Sequence, residues 1–437
     1  MSAAQHYVEH YRALTLPGMH LPWLRQLRQE AQSRFAAGGF PSPREEEWKY
    51  TNVAALEKKL FVPTMGTPAV AADTSDLERL RLDDAWSLVF VDGMYSAEHS
   101  MTDGLPEGVI ATSLASALER YPERIEDLFN QAVPQDAHGF IAFTTAYFRD
   151  GAFVLVPAGT ILDKPLQLIH FSTRPDGLAV TRNLIALEQN AEASLVETYA
   201  GAGDLSYLSA SVTEVSVGEN AGLEHYKLQS ETVKGYHFGG IYALEARSAR
   251  FRQHHLAFGG LVARTEIHAQ LDHEAACELD GLFLATGRRH LDTHTLIRHK
   301  APCGTSRETY RGIAANRARG VFSGRIVVHP EAQKTDAEMS NRNLLLSEDA
   351  EIDSKPQLEI HADDVKCSHG VTVGQLDPEA VFYLESRGVD EATARNMLIF
   401  AFANEMVEKI GLNSLRRIVH DELLSFLPQS NVRKDWL

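Results

Sequence analysis

The run NAEASLVETYAGAGDLSYLSASVTEVSVGENAGLEHYKLQSETVKGYHFGGIYALEARSARF, residues 190–251, decides how this chain folds. Its short alternations, among them SASVTEVSV, LEHYKLQ and IYALEA, have the period of two that sends alternate side chains to one face of a strand. The strands start in a repeated way: Asn190-Ala191-Glu192-Ala193, Asn220-Ala221-Gly222-Leu223 and Ser248-Ala249-Arg250-Phe251. Glu274-Ala275-Ala276-Cys277 continues the series, which puts alanines 191, 221, 249 and 275 at intervals of 30, 28 and 26 residues. Asp349-Ala350-Glu351-Ile352 is a later, isolated copy. A turn, a small residue at a corner and then a strand, at a near-constant interval, is what stacked coils of a β-solenoid require. A β-sandwich with regular strands would also tolerate the drifting interval, but the repeat favours the β-helix.

The same texture extends outward from about Gly151 to Gln375, through FVLVP, LQLIHFS, LFLA, GRIVVH and PQLEIHA, with no convincing helix of ten residues. On either side the pattern becomes helical. His20 to Phe35 carries Leu21, Trp23, Leu24 and Leu27 at helical spacing and is stopped by Gly38-Gly39. Asn52 is placed to cap a helix opening at Ala54, residues 62–75 read as a linker, Trp86 to Val91 as a strand, and Ser113 to Asn130 as a helical patch. After Asp377 come a short helix from Glu379, a long one over Glu391 to Ile410, and a third over Leu412 to Leu427. The long helix is apolar around much of its circumference, so it is either sandwiched within its own chain or offers a face to a partner. The expected organisation is a mainly β chain with an N-terminal helical and mixed region over 1–150, a β-helix core over 151–377 and a C-terminal helical region over 378–437.

Composition narrows the function. A formal net charge of −17 argues against nucleic acid or an anionic membrane as the main partner. No run of 18 apolar residues occurs, and the start MSAAQHYVEHYRAL lacks the pattern of a signal peptide. The three cysteines, Cys277, Cys303 and Cys367, contain no CxxC and suit a reducing compartment, so the expected location is the cytoplasm. There is no Gly-Lys pair, hence no Walker A loop, and no GxGxxG, GxSxG or HExxH. If ATP is involved, another chain must bind it.

Three groups of residues have chemistry to weigh. Seven histidines fall between 254 and 299, and in GRRHLDTHTLIRH the pair His290 and His294 flanks Asp292. Four residues apart on a strand they share a face but lie roughly 13 Å apart, too far for one metal, so hydrogen-bonded ladders or a protein interface are expected. Asp336, Glu338, Glu348, Asp349, Glu351 and Asp353 read as solvated turn residues; as a glycosidase pair they would need a sugar cleft. Cys367 and His369, two apart in DDVKCSHGVTVG, point to one face of a strand. A thiolate and an imidazole there can ligate iron, zinc or copper, or act as a nucleophile with its base. A lone strand cysteine is more often only a small hydrophobe, and one strand offers too few thiolates for an iron–sulfur site without a second chain.

Long ordered stretches of the chain closely resemble the SufB/SufD family of iron–sulfur cluster assembly scaffolds. They are PREEEWKYTN, GRRHLDTHTLIRH, YRGIAANRARGVFSGRIVVHPEAQKTDAEMSNRNLLLSEDAEIDSKPQLEI and FYLESRGVDEATARNMLIFAFANEMV. Cys367-Ser368-His369-Gly370 resembles the SufD branch where SufB-like chains read Glu-His-Glu-Ala, and Ala350 stands near the place of a functional SufB cysteine. The resemblance implies a right-handed parallel β-helix with helical regions at both ends, pairing through the β-helix with a SufB-like paralogue and through the C-terminal helices with a SufC-like ATPase. It implies a non-catalytic scaffold that builds and transfers clusters, with a transient Fe–S cluster shared with the partner chain. His369, with Cys367 beside it, becomes the candidate ligand at the paralogue interface, and the apolar C-terminal helix becomes the expected ATPase contact. ATP-driven closure of the attached ATPases is expected to expose the Cys367/His369 strand. Family complexes are also associated with a reduced flavin, for which no residue is assigned. A SufB-type sulfur-accepting scaffold and a polysaccharide-active β-helix enzyme are the alternatives, and a homodimer of the chain alone stays open.

Overall fold

The computed structural model describes residues 3–12, 14–63, 74–134 and 138–427. From Ala152 to Gly374 every named element is a strand, and successive strands alternate between two sheets of ten strands each. Sheet 1 runs back from Glu351–Ile360 through Arg319–Val328, His290–His299, Val262–Leu271, Tyr236–Glu245, Tyr207–Val217 and Gly177–Leu187 to Ala152–Val156. Sheet 2 runs from Lys366–Gly374 through Asp336–Leu345, Thr305–Ala314, Ala276–Ala285, Arg250–Ala257, Gly222–Ser230, Glu192–Gly201 and Leu166–Ser172 to Trp86–Val91. All these pairings are parallel and in unbroken register, which makes a parallel β-solenoid of about eight turns.

The repeat seen in the sequence is the corner of each coil. Ala191, Ala221, Ala249 and Ala275 are all fully buried, and the residue before each has positive φ: Asn190 57°, Asn220 56°, Ser248 54° and Glu274 59°. A left-handed residue turns the chain sharply, and asparagine tolerates that conformation better than most side chains. Small side chains fill the stacked corners, and the column continues through Gly304 to the buried Thr335. Inside the solenoid one apolar core runs from Trp86 and Leu88 to Met339 and Ala337.

Helices cover both outer faces. Pro22–Gly38 stops at Gly39 (φ 66°), and together with Gly139–Tyr147 it packs Phe35, Phe40, Phe143 and Tyr147 over sheet 1. The N-cap of the short helix at Ala54 is Val53, not Asn52, although Asn52 Oδ1 accepts from the Ala54 N–H at 2.9 Å; Trp86–Val91 is a strand. The helical patch after Ser113 is two short helices, Leu114–Arg120 and Pro122–Leu128, broken at Pro122. The expected linker over 62–75 falls mostly outside the described residues; Val62–Pro63 pairs with sheet 1 and a helix begins at Thr74. At the other end Pro378–Glu385, Glu391–Val407 and Asn413–Phe426 form the C-terminal helices. The broad apolar surface of Glu391–Val407 is explained by burial within the chain. Ile399, Phe400, Ala403, Met406 and Val407 pack between Leu256, Leu282 and Ile313 of sheet 2 and Leu415, Val419 and Leu423 of the last helix. Met397, Leu398 and Phe402 on the same helix are partly exposed and Ala401 is exposed. The large apolar side chains left exposed in this region are Phe382 and Tyr383. No described helix is long and apolar enough to cross a membrane.

Candidate functional site at the open end of the solenoid

Register sets the environment of Cys367 and His369. Cys367 continues a column of inward positions, Leu223, Phe251, Cys277, Ser306 and Ala337, while His369 continues His225, Gln253, Leu279, Glu308 and Met339. Rungs of a ladder are about 4.8 Å apart, so each column is a continuous stack of side chains along the lumen. The strand Lys366–Gly374 is the last of its sheet, and Glu351–Ile360 the last of the other. The pair therefore stands at the mouth of the lumen, on its inward face, with nothing stacked above it among the described residues. Cys367 is half-buried against the lumen core, whereas His369 is exposed. The strand is open to solvent because no further coil stacks on it among the described residues. Burial pushes the Cys367 thiol above its ordinary value; the backbone of Ala337 opposes this and Asp336 adds to it.

Below the mouth the lumen is closed by amides. Ser354 Oγ donates to Asn341 Oδ1 at 2.7 Å, Asn343 Nδ2 donates to the same oxygen at 2.6 Å, and Asn341 Nδ2 reaches the Tyr310 carbonyl at 3.3 Å. Among the described residues no group of three or more His, Cys, Asp or Glu side chains is arranged to hold a metal ion. The mouth offers two donors of this chain, and any cluster held there needs the rest from elsewhere.

The histidine motif lies apart from the mouth. His290 and His294 are on the outer face of sheet 1, where they hold the segment Glu47–Thr51. Thr51 Oγ1 lies 2.8 Å from His290 Nε2 and donates to Asp292 Oδ2, while His294 lies 3.0 Å from Asp292 and 3.5 Å from Glu47. Arg264 stacks 3.7 Å over the Trp48 ring and pairs with Asp292 at 3.0 Å. Burial alone would raise the Asp292 carboxyl, but His294 and Arg264 hold it well below the usual range. These histidines fasten the N-terminal segment to the solenoid. Of the acidic residues, Asp336, Glu351 and Asp353 sit in strands and pair with Arg307 and Arg319, where turns were expected.

A charged network in the lumen was not anticipated from the sequence. Glu197 Oε1 lies 3.0 Å from His225 Nε2 and Glu197 Oε2 accepts from the Tyr199 hydroxyl at 2.6 Å, while Lys227 Nζ sits 4.6 Å from the Tyr199 ring centre. Burial lowers Lys227 to about 8, against the pull of Glu197 and Glu231. The signal was in parity: in LVETYA, Glu197 shares the face of Leu195 and Tyr199, an unusual place for a charge.

Solenoid, mouth and clasped N-terminal segment can be set beside known proteins. Residues 170–402 match the family model "SUF system FeS cluster assembly, SufBD core domain", and residues 1–168 match "SufBD protein N-terminal region". The iron–sulfur cluster assembly protein SufD of Escherichia coli is 33% identical over 89% of this chain and 90% of its own length. A SufBD family protein of Synechocystis is 32% identical over 89% and 88%, and the chloroplastic protein ABCI7 of Arabidopsis thaliana 27% over 92% and 85%. The chain belongs to the SufBD family of iron–sulfur cluster assembly proteins.

Proposed function

We propose that this chain is the SufD-type subunit of an iron–sulfur cluster assembly complex, a scaffold that does no bond-making chemistry of its own. The supporting observation is the mouth: a thiol and an imidazole on the last inward rung, on one of two terminal strands whose outer edges are unpaired among the described residues. Unpaired edges are templates for another chain's strands. A SufB-type paralogue pairing there would bring its donors against Cys367 and His369 and complete the coordination of a nascent cluster, which is the cargo. His369 supplies a nitrogen donor and Cys367 a thiolate once its proton is lost on metal binding. A SufC-type ATPase docks on the C-terminal helices, where Phe382 and Tyr383 on Pro378–Glu385 are exposed. ATP-driven closure of that subunit would lever the paired mouths and open them to sulfur and iron. No residue of this chain is assigned to the flavin. The region boundaries 1–150, 151–377 and 378–437 belong to the same reading.

The experiment is co-expression with the neighbouring genes and purification through a tag on this chain. The reading predicts that a second solenoid chain and an ATPase co-purify stoichiometrically, and that His369→Ala leaves this complex intact while abolishing cluster formation. Elution without either partner would sink it, as would an unimpaired His369→Ala complex. Thiol labelling of Cys367 within the complex tests the opening step: labelling unaffected by ATP rules it out.

A further inference from the structure

The N-terminal segment that clasps sheet 1 is held by a balance of charge that one proton can upset. Glu47 lies 3.5 Å from His294 Nδ1 and 2.6 Å from Arg325, and Glu46 lies 2.7 Å from Lys355 on the last strand of the sheet. Two residues of the segment thus span three successive coils. The groups around them are committed elsewhere. Arg264 pairs with Glu266 at 2.9 Å and with Asp292 at 3.0 Å, Arg325 also reaches Glu359 at 3.5 Å, and His138 Nε2 lies 2.9 Å from Glu266. The buried His294 stands between two further carboxylate oxygens, with Asp292 Oδ1 3.0 Å from its Nε2 and Glu47 Oε2 3.5 Å from its Nδ1. A neutral imidazole has one N–H, so it faces one carboxylate with a proton and the other with a lone pair. The imidazolium, with two N–H groups, suits both.

We propose that residues 45–51 form a proton-dependent latch, closed while both nitrogens of His294 carry protons and loosened on its Glu47 side when one proton is lost. Every element packed there enters the balance. Asp292 and Arg298 come from the strand of His294 itself, Arg264, Glu266 and His268 from the preceding rung, and Arg325 and Lys355 from the following ones. Glu45, Glu46 and Glu47 come from the segment, and His138 from the start of Gly139–Tyr147. Burial and Arg264 pull His294 down, but Asp292 and Glu47 outweigh them and hold it above its ordinary value of 6.5. The folded state therefore binds this proton more tightly than the unfolded one. The latch is fully closed below pH 6.5 and weakens as pH rises through the higher folded value. Once neutral, the ring keeps its N–H for the nearer Asp292 and turns a lone pair to Glu47. Trp48, stacked on Phe140 and under Arg264, still anchors the middle of the segment, so residues 45–47 are the part that loosens. Glu46 and Glu47 then release Lys355 and Arg325 on the last two strands of sheet 1, and the proton changes the charge displayed at the open end. This latch does not depend on the cluster reading.

The test is cleavage of the full-length chain by an endoproteinase specific for glutamyl bonds, read at residues 45–47 by mass spectrometry from pH 6 to 9. Rates are divided at each pH by those of a free peptide covering the segment, which removes the pH dependence of the protease. The ratio should rise roughly fivefold between pH 6 and pH 9, the upper range for a part-exposed ion pair. In His294→Gln it should be high and flat. Glu47→Gln changes an exposed side chain, leaves the His294 ring in place and should also be flat; it decides alone if His294→Gln does not fold. A wild-type ratio that stays flat overturns the proposal, and so does a rise that persists in either folded variant.

Discussion

Replacing Glu308 by glutamine should stabilise this protein in alkaline solution and alter it far less in mild acid. Glu308 stands in the lumen column between Leu279 and Met339, two rungs below His369. Its Oε1 accepts from the Thr295 hydroxyl at 2.5 Å, and its Oε2 has no partner among the described residues. Burial pushes the carboxyl up to about 8 from 4.5; Thr295 opposes this and Asp280 adds to it. Folded, the group therefore keeps its proton up to about pH 8, while in the unfolded chain it loses it near 4.5. The folded state binds more protons across that window, so stability falls as pH rises through it and levels off above. At about 1.4 kcal/mol per pH unit, the window sets an upper limit of about 5 kcal/mol. Glutamine copies the shape of the protonated acid and cannot ionise. Urea unfolding of both chains from pH 5 to 9 gives a difference profile in which Glu245 and Lys227, present in both, cancel. That difference should be about 1 kcal/mol at pH 5 and reach several kcal/mol in favour of Glu308→Gln by pH 8.5. Parallel profiles agreeing within about 0.5 kcal/mol, the scale of a neutral substitution, would refute a lumen that keeps this acid neutral.

Three further outcomes can be stated. His369→Ala should change unfolding free energy by no more than about 0.5 kcal/mol, because the side chain is exposed; a larger loss in urea titration would mean that the mouth is structural. Arg182→Met should cost about 3 kcal/mol by the same assay, because it strands the Glu214 carboxylate, 2.5 Å away in a buried site, and frees Thr145 and Asn130. Phe382→Ser with Tyr383→Ser should leave the thermal midpoint within about 2 °C, since both side chains are solvent-exposed, yet reduce ATPase co-purification; unchanged recovery would move the docking surface elsewhere.

The solenoid was legible because its rules are local. Period two identifies the strands, and a turn residue followed by alanine marks four successive corners, so neither needs knowledge of distant contacts. The shared face of Cys367 and His369 follows from the same period. Their exposure does not, since it depends on which coil is last. The helix Gly139–Tyr147 was missed for a related reason: it is buried on almost every side and has no polar stripe to give it away. The histidine motif was legible in type and not in role. Its partners Thr51 and Glu47 lie some 240 residues earlier in the chain, and strand patterning carries no trace of such a pairing. The apolar breadth of Glu391–Val407 fitted an outward face as well as a double contact, and only packing between a sheet and another helix distinguishes them.

The two ends of the solenoid are treated differently, and this bears on partner choice. At the start, Ile110–Ser113 and Met94–Tyr95 pair antiparallel with the first strands, and helices cover the flank. At the finish, Glu351–Ile360 and Lys366–Gly374 have outer edges unpaired among the described residues, and the described C-terminal helices fold back onto the outer face of sheet 2 instead of crossing the end. A repeat protein left uncapped is prone to stack on any other open edge. Two features of these strands limit that. Pro356 removes a backbone donor from the first edge, and Glu351, Asp353, Lys355, Glu359 and Lys366 space charges along both. An edge so marked disfavours indiscriminate pairing and rewards a partner whose charges and register match. If that partner is another solenoid ending in the same way, the two lumens meet end to end, and the two donors at this mouth face those of the other chain. A scaffold built from two such halves holds a complete ligand set only while assembled, which suits a cargo that must afterwards be given up.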